Sequence, residues 1–264
     1  VEYYARVPEK SPYRRDAEMQ RALNLAENEK TGEAIEQLKT LLNRDKTDLR
    51  TYLALGGVYA QDKNFADAAK IYDAAVEQIK SPERKDWPVF YQRGIAHERL
   101  KEWDQAEPNF KKALELYPDQ PQVLNYLGYS WVDRGENLDE ALLMIKKAVE
   151  LRPQDGYIVD SLGWAYYQLG RYPEAVVELE KAVKLRPEDP TINDHLGDAY
   201  WRADRQLEAT FQWNHAIAGK PEPEELAKIE EKLKSGLADP ANPAQADAAK
   251  PDAAKPETEK PAAN

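Results

Sequence analysis

The sequence predicts an all-α superhelical solenoid, and two observations predict it. Glycines recur at Gly56, Gly94, Gly128, Gly163 and Gly197, separated by 38, 34, 35 and 34 residues, and such a fixed spacing marks stacked supersecondary units. Within each interval apolar residues return every three or four positions, the period of helices that bury one face. The chain has 264 residues, 42% of them hydrophobic and 32% charged, which supplies both a core and the polar surface to cover it.

Counting back 34 residues from Gly56 reaches Ala22 and adds a sixth, earlier unit. Each unit follows one plan. A first helix carries the glycine, or Ala22, and three residues later a larger side chain: Leu25, Tyr59, His97, Trp131, Tyr166 and Tyr200. A turn follows, then a second helix marked by Ala34, Ala68, Ala106, Ala141, Ala175 and Ala209. Helices cross closely only where side chains are small, so the glycine and this alanine are expected to mark the crossing. Large residues four positions later, Leu38, Tyr72, Phe110, Ile145, Leu179 and Trp213, are expected to fill the space beside it. Pro118, Pro153, Pro187 and Pro221 end the second helix for want of an N–H, while Lys46 and Lys80 stand at that place in the first two units.

These residues resemble the tetratricopeptide repeat family, whose unit is a 34-residue helix-turn-helix. The resemblance spans residues 15–223, in units 15–48, 49–82, 87–120, 121–155, 156–189 and 190–223, with residues 1–14 as a lead-in. Four extra residues near 83–86 and one near Asn137 interrupt the period. Residues 222–236 read as a capping helix, because Leu226, Ile229 and Leu233 share one face. From 237 to 264 the chain alternates Ala, Pro, Lys and acid with no apolar period, the composition of a disordered tail.

Composition narrows the chemistry. Lys+Arg 37 against Asp+Glu 48 gives a net charge of -11, so nucleic acid and anionic lipid surfaces are unsuited partners. With no cysteine there is no disulfide, thiolate nucleophile or Cys-ligated metal. No 18-residue apolar run offers a membrane span. Phosphate-binding glycine loops, a nucleophile-elbow serine and a zinc-protease motif are missing, so a non-enzymatic protein with no cofactor and no metal is expected. His97 takes the slot of an aromatic, which points to packing. His195 and His215 have no second ligand at metal spacing.

Function is expected on the first-helix faces that point away from their own partner helix. They carry Tyr91 and Ile95, then Asn125 and Tyr129, then Asp160, Trp164, Tyr167 and Gln168, then Asp194, Asp198, Trp201 and Arg202. Aromatic rings beside Asn and Asp on a concave face suit an extended peptide with basic or hydrogen-donating groups. The reading is a non-catalytic scaffold or adaptor for a protein or peptide partner, with self-association open. Glycan binding is the alternative, since Trp164, Tyr167 and Trp201 would also stack on sugars. The stretch from Leu124 to Trp201 is also similar to the terminal repeats of Gram-negative envelope lipoproteins. That similarity implies an adaptor for a protease or assembly complex and favours a bacterial envelope or periplasm over cytoplasm. A lipidated cysteine would then lie upstream of Val1, where further repeats are also expected.

Overall fold

The computed structural model describes residues 2–238, and every regular element among them is helical. A short α1 (Glu2–Ala5) precedes six consecutive helix pairs. They are α2 (Arg14–Glu27) with α3 (Thr31–Arg44), α4 (Leu49–Gln61) with α5 (Phe65–Gln78), and α6 (Trp87–Arg99) with α7 (Trp103–Leu116). Then come α8 (Pro121–Arg134) with α9 (Leu138–Leu151), α10 (Gly156–Gln168) with α11 (Tyr172–Leu185), and α12 (Pro190–Arg202) with α13 (Gln206–Ala218). A single helix, α14 (Pro223–Ser235), follows. The chain divides into two compact units, Val1–Pro153 and Gln154–Asn264. The first contains α1 to α9 and the second α10 to α14. Of the tail read from residue 237 onward, 239–264 lie outside the described residues.

Local chemistry sets where the first helices begin and end. The carboxylates of Asp48, Asp155 and Asp189 accept from the backbone N–H of Arg50, Tyr157 and Ile192, capping α4, α10 and α12. Pro121 and Pro190 take the first helical position, where no N–H is needed. Each first helix then stops on a residue with positive φ: Glu29, Lys63, Lys101, Gly135, Gly170 and Asp204. At all six, the next residue's N–H donates to a carbonyl five positions back, on Leu25, Tyr59, His97, Trp131, Tyr166 and Tyr200, at 2.8–2.9 Å. This is a Schellman closure repeated in register, and it satisfies carbonyls that the helix end would otherwise orphan.

The core of each pair is an interlock. Ala34, Ala68, Ala106, Ala141, Ala175 and Ala209 are fully buried, and so, within 1% exposure, are Leu38, Tyr72, Phe110, Ile145, Leu179 and Trp213. The larger residues do not sit beside the glycine, as the spacing alone suggested. They lie directly over it. A Cβ on Gly56, Gly94, Gly128, Gly163 or Gly197 would collide with Tyr72, Phe110, Ile145, Leu179 or Trp213 respectively. The missing side chain of one helix is thus filled by the largest inward side chain of the other, which sets how closely the two can pack.

The four-residue interruption is also packed. Residues Arg84–Asp86 form a single 3-10 turn, in which Glu83 N–H donates to Asp86 Oδ2 at 2.9 Å. Arg84 lies 4.0 Å over the Tyr117 ring, and Trp87 meets the same ring edge-on at 6.1 Å.

Two adjacent glycines test the interlock. Gly56 lies under Tyr72, whereas a Cβ on exposed Gly57 would meet nothing within 4 Å. Gly57→Ala should raise stability by about 0.5–1 kcal/mol through helix propensity. Gly56→Ala gains the same propensity but must push Tyr72 aside, at a cost of roughly 1–3 kcal/mol, and should lower stability overall. Urea denaturation of the two variants should move the midpoint in opposite directions; equal shifts would mean that Tyr72 is not wedged on Gly56.

Candidate functional site

Each compact unit holds part of the face named from the sequence. In the first, Tyr91 on α6 is not a free-standing anchor. Its ring meets Tyr126 edge-on at 5.9 Å and Phe110 at 6.2 Å, and burial pushes its phenol up to about 12. Ile95, Asn125 and Tyr129 are half-buried. The Asn125 side-chain oxygen is buried without a hydrogen bond. Tyr126, one residue away on α8, donates its hydroxyl to Glu98 at 3.0 Å and lies 5.1 Å from Phe110. This part of the face is an aromatic wall whose rings hold one another.

The second unit concentrates charge. On α10, Asp160, Trp164, Tyr167 and Gln168 follow at i, i+4, i+7 and i+8 and so share a stripe. Asp160 is only 6% exposed, and its two oxygens lie 3.0 and 3.1 Å from Nδ1 of His195 on α12. The His195 ring stacks on Trp164 at 4.1 Å, and Trp164 stacks on Tyr167 at 4.7 Å with planes 8° apart. The imidazole is thus ion-paired at one nitrogen and covered by an indole. Burial opposes its charge, but the Asp160 carboxylate, with Asp194 and Asp198 behind it, outweighs burial and raises its pKa. Tyr167 is half-buried, and burial with the nearby Asp198 raises its phenol. Trp164 is half-buried, its indole N–H lies inside without an acceptor, and Gln168 is exposed.

The α12 stripe is covered by α14. Lys232 Nζ lies 2.8 Å from both oxygens of Asp194 and 2.8 Å from Oδ2 of Asp198. Burial again works against the charge, and the two carboxylates overcome it and hold the ammonium above its usual range. The other oxygen of Asp198 accepts from the Trp213 indole at 2.9 Å, tying the cluster to the interlock under Gly197. Trp201 packs against Gly236, and Arg202 donates to the Ala238 carbonyl at 2.7 Å.

Two participants were not singled out from the sequence. Metal-ligand spacing offers His195 no partner, and the apolar spacing of the cap says nothing of Lys232. Both lie about one repeat from their carboxylates, 35 residues from Asp160 and 34 from Asp198. Pairing stripes of successive first helices would have found them. Among the described residues no three His, Cys, Asp or Glu side chains gather as a metal would need, and no helix is long and apolar enough to cross a membrane.

Three family models match the chain, two described as tetratricopeptide repeat, over residues 19–83 and 87–120, and one as TPR repeat, over 163–204. The chain belongs to the tetratricopeptide repeat family. It is similar to the general transcriptional corepressor ssn6 of Schizosaccharomyces pombe, at 30% identity over 113 residues, 43% of this chain and 10% of that one. Among solved structures it resembles the APC/C hetero-tetramer Cut9-Hcn1, with a TM-score of 0.74 at 16% identity over 89% of this chain and 45% of that chain. A tetratricopeptide repeat protein from Parabacteroides merdae ATCC 43184 gives 0.67 at 14% identity, covering 83% and 85%. YrrB, described as a TPR protein with an unusual peptide-binding site, gives 0.51 at 20% identity, covering 70% and 92%. These structures establish the tetratricopeptide solenoid fold. Repeats of this family are generally non-catalytic scaffolds for protein–protein interaction.

The His195–Asp160 pair makes stability pH-dependent. A histidine whose folded pKa lies above its unfolded value, about 6.5, binds its proton more tightly when folded. Its contribution is therefore complete below about 6.5 and is lost as pH rises through the folded pKa. The urea midpoint of the wild type should fall through that window relative to His195→Gln, which has no proton to lose. A constant difference between the two proteins at every pH would contradict the ion pair.

Proposed function

We propose that this tetratricopeptide repeat protein is a non-catalytic adaptor that binds an extended peptide of a partner along the α10 face, at Trp164, Tyr167 and Gln168. One observation carries the reading. The Trp164–Tyr167 stack is half-buried on a first-helix face, so part of its ring surface is open to solvent. A rigid, partly exposed ring pair is what a peptide anchor site offers. The peptide-binding site named for YrrB adds weight, being carried by a protein of the same fold. Asp160 enters this reading as the support that orients His195 and, through it, Trp164, because its own oxygens are engaged. The glycan alternative is less favoured, since Tyr167 and His195 already cover ring area of Trp164 that a sugar would need. The proposal retains a bacterial envelope setting and an assembly or protease partner, which rest only on the resemblance of the stretch from Leu124 to Trp201.

Capture from a bacterial envelope extract, followed by peptide titration, tests this. Trp164→Ala should lower affinity by about 2 kcal/mol, roughly 30-fold, against wild type. Phe211→Ser is the control, because Phe211 is 62% exposed on the second helix α13. Loss of the partner in Phe211→Ser and its retention in Trp164→Ala would move binding to the second-helix faces.

A further inference from the structure

Asp194, Asp198, Trp201 and Arg202 each have a partner in one short stretch of the same chain. Lys232 fills the space between the two aspartates, Gly236 lies against the Trp201 ring, and the Ala238 carbonyl takes a hydrogen bond from Arg202. Gly236 has φ +71 and ψ -170, and a Cβ there would collide with the indole. The chain therefore leaves the helix and turns across the tryptophan in a form that suits glycine. A lysine in an acidic clamp, backbone on an indole face and a carbonyl held by a guanidinium are the contacts of a bound peptide.

The same stretch is thinly fastened. Of the thirteen residues of α14 only Ile229 is buried, whereas α12 buries eight. Most of its hold on α12 is ionic, and an ion pair taken out of water spends much of its attraction on desolvation. Elements with few buried apolar contacts open locally well before the whole protein unfolds. The groups facing Lys232 are Asp194 and Asp198 from α12 and Tyr167 from α10, with the His195–Asp160 pair and Arg202 adjoining.

We infer that α14 with Gly236–Ala238 is an autoinhibitory strap, an internal stand-in for a lysine-bearing partner segment that must displace it to reach Asp194, Asp198, Trp201 and Arg202. This extends the peptide-binding reading of α10 to the neighbouring helix and rests on it. The strap raises the threshold for binding, because a tethered competitor acts at high effective concentration.

The test uses the full chain and a fluorescein-labelled synthetic peptide of residues 226–238 as probe. Hydrogen exchange across 223–235 should be at least tenfold faster in Lys232→Met than in wild type, with α10 to α13 unchanged. The probe should bind Lys232→Met at least tenfold more tightly than wild type, and the gain should vanish when Asp194→Asn and Asp198→Asn are added. Lys232→Arg, which keeps the charge, should match wild type in both readouts. Should Lys232→Met fail to fold, saturating probe must accelerate exchange of 223–235 in the wild type. Unchanged α14 exchange, or equal probe affinity in wild type and Lys232→Met, overturns the strap. If the strap fails while Trp164→Ala still loses the partner, the α10 site stands alone; the reverse result removes the α10 site and keeps the strap.

Discussion

Five times along this chain, a glycine on the first helix of a pair lies under the bulkiest inward residue of the second. Tyr72, Phe110, Ile145, Leu179 and Trp213 differ in shape, yet each occupies the volume that a side chain on the facing glycine would need. Interiors are packed to near crystal density, so this contact fixes the distance and register of the two helices together. The fully buried alanines one turn earlier keep the neighbouring positions equally small. Once the pair is set, the first helix has one face committed inward. Trp164 and Asp198 are carried at defined heights on the face that remains.

The polar chemistry of the second unit depends on that placement. Asp160 and His195 meet because α10 and α12 present equivalent stripes side by side, and Trp164 then stacks on the imidazole. Asp198 joins two systems, accepting from the Trp213 indole over Gly197 and from Lys232 on α14. Buried carboxylates of this kind cost more to leave unpaired than they contribute when paired. The cluster consequently demands a cation on α12, and α14 supplies one. That couples the terminal helix to the binding face through charge far more than through apolar burial.

Much of the architecture was legible because it is local. Gly163, Ala175 and Leu179 lie within one unit, and a 34-residue period with helical spacing is enough to place them on facing surfaces. The turn closures were harder to see. Glu29, Lys63, Lys101 and Asp204 take the left-handed conformation that only Gly135 and Gly170 announce, since the Schellman hydrogen bonds impose it on whatever residue stands there. The candidate site was legible as a stripe and not as a network. The spacing of a single helix shows Asp160 and Asp198 as acceptors on a face, whereas their partners lie about one repeat further along the chain. Tyr91 shares the predicted groove face by spacing, but its neighbours on α7 and α8, Phe110 and Tyr126, enclose it.

The interlock makes a demand that simple burial does not: the glycine and its covering residue must be coupled. A double-mutant cycle on Gly163→Ala and Leu179→Ala measures this. The Leu179 side chain is the first atom group a Cβ on Gly163 would strike, with Cγ 2.5 Å away. Leu179→Ala alone should cost about 2–5 kcal/mol through the cavity it leaves, and Gly163→Ala alone should also destabilise through overpacking. In the double variant the new methyl enters the vacated space, so stability should be no lower than in Leu179→Ala, a favourable coupling of about 1 kcal/mol or more. Strictly additive losses would contradict the account, because they would show that the glycine is small for a reason unrelated to the residue above it.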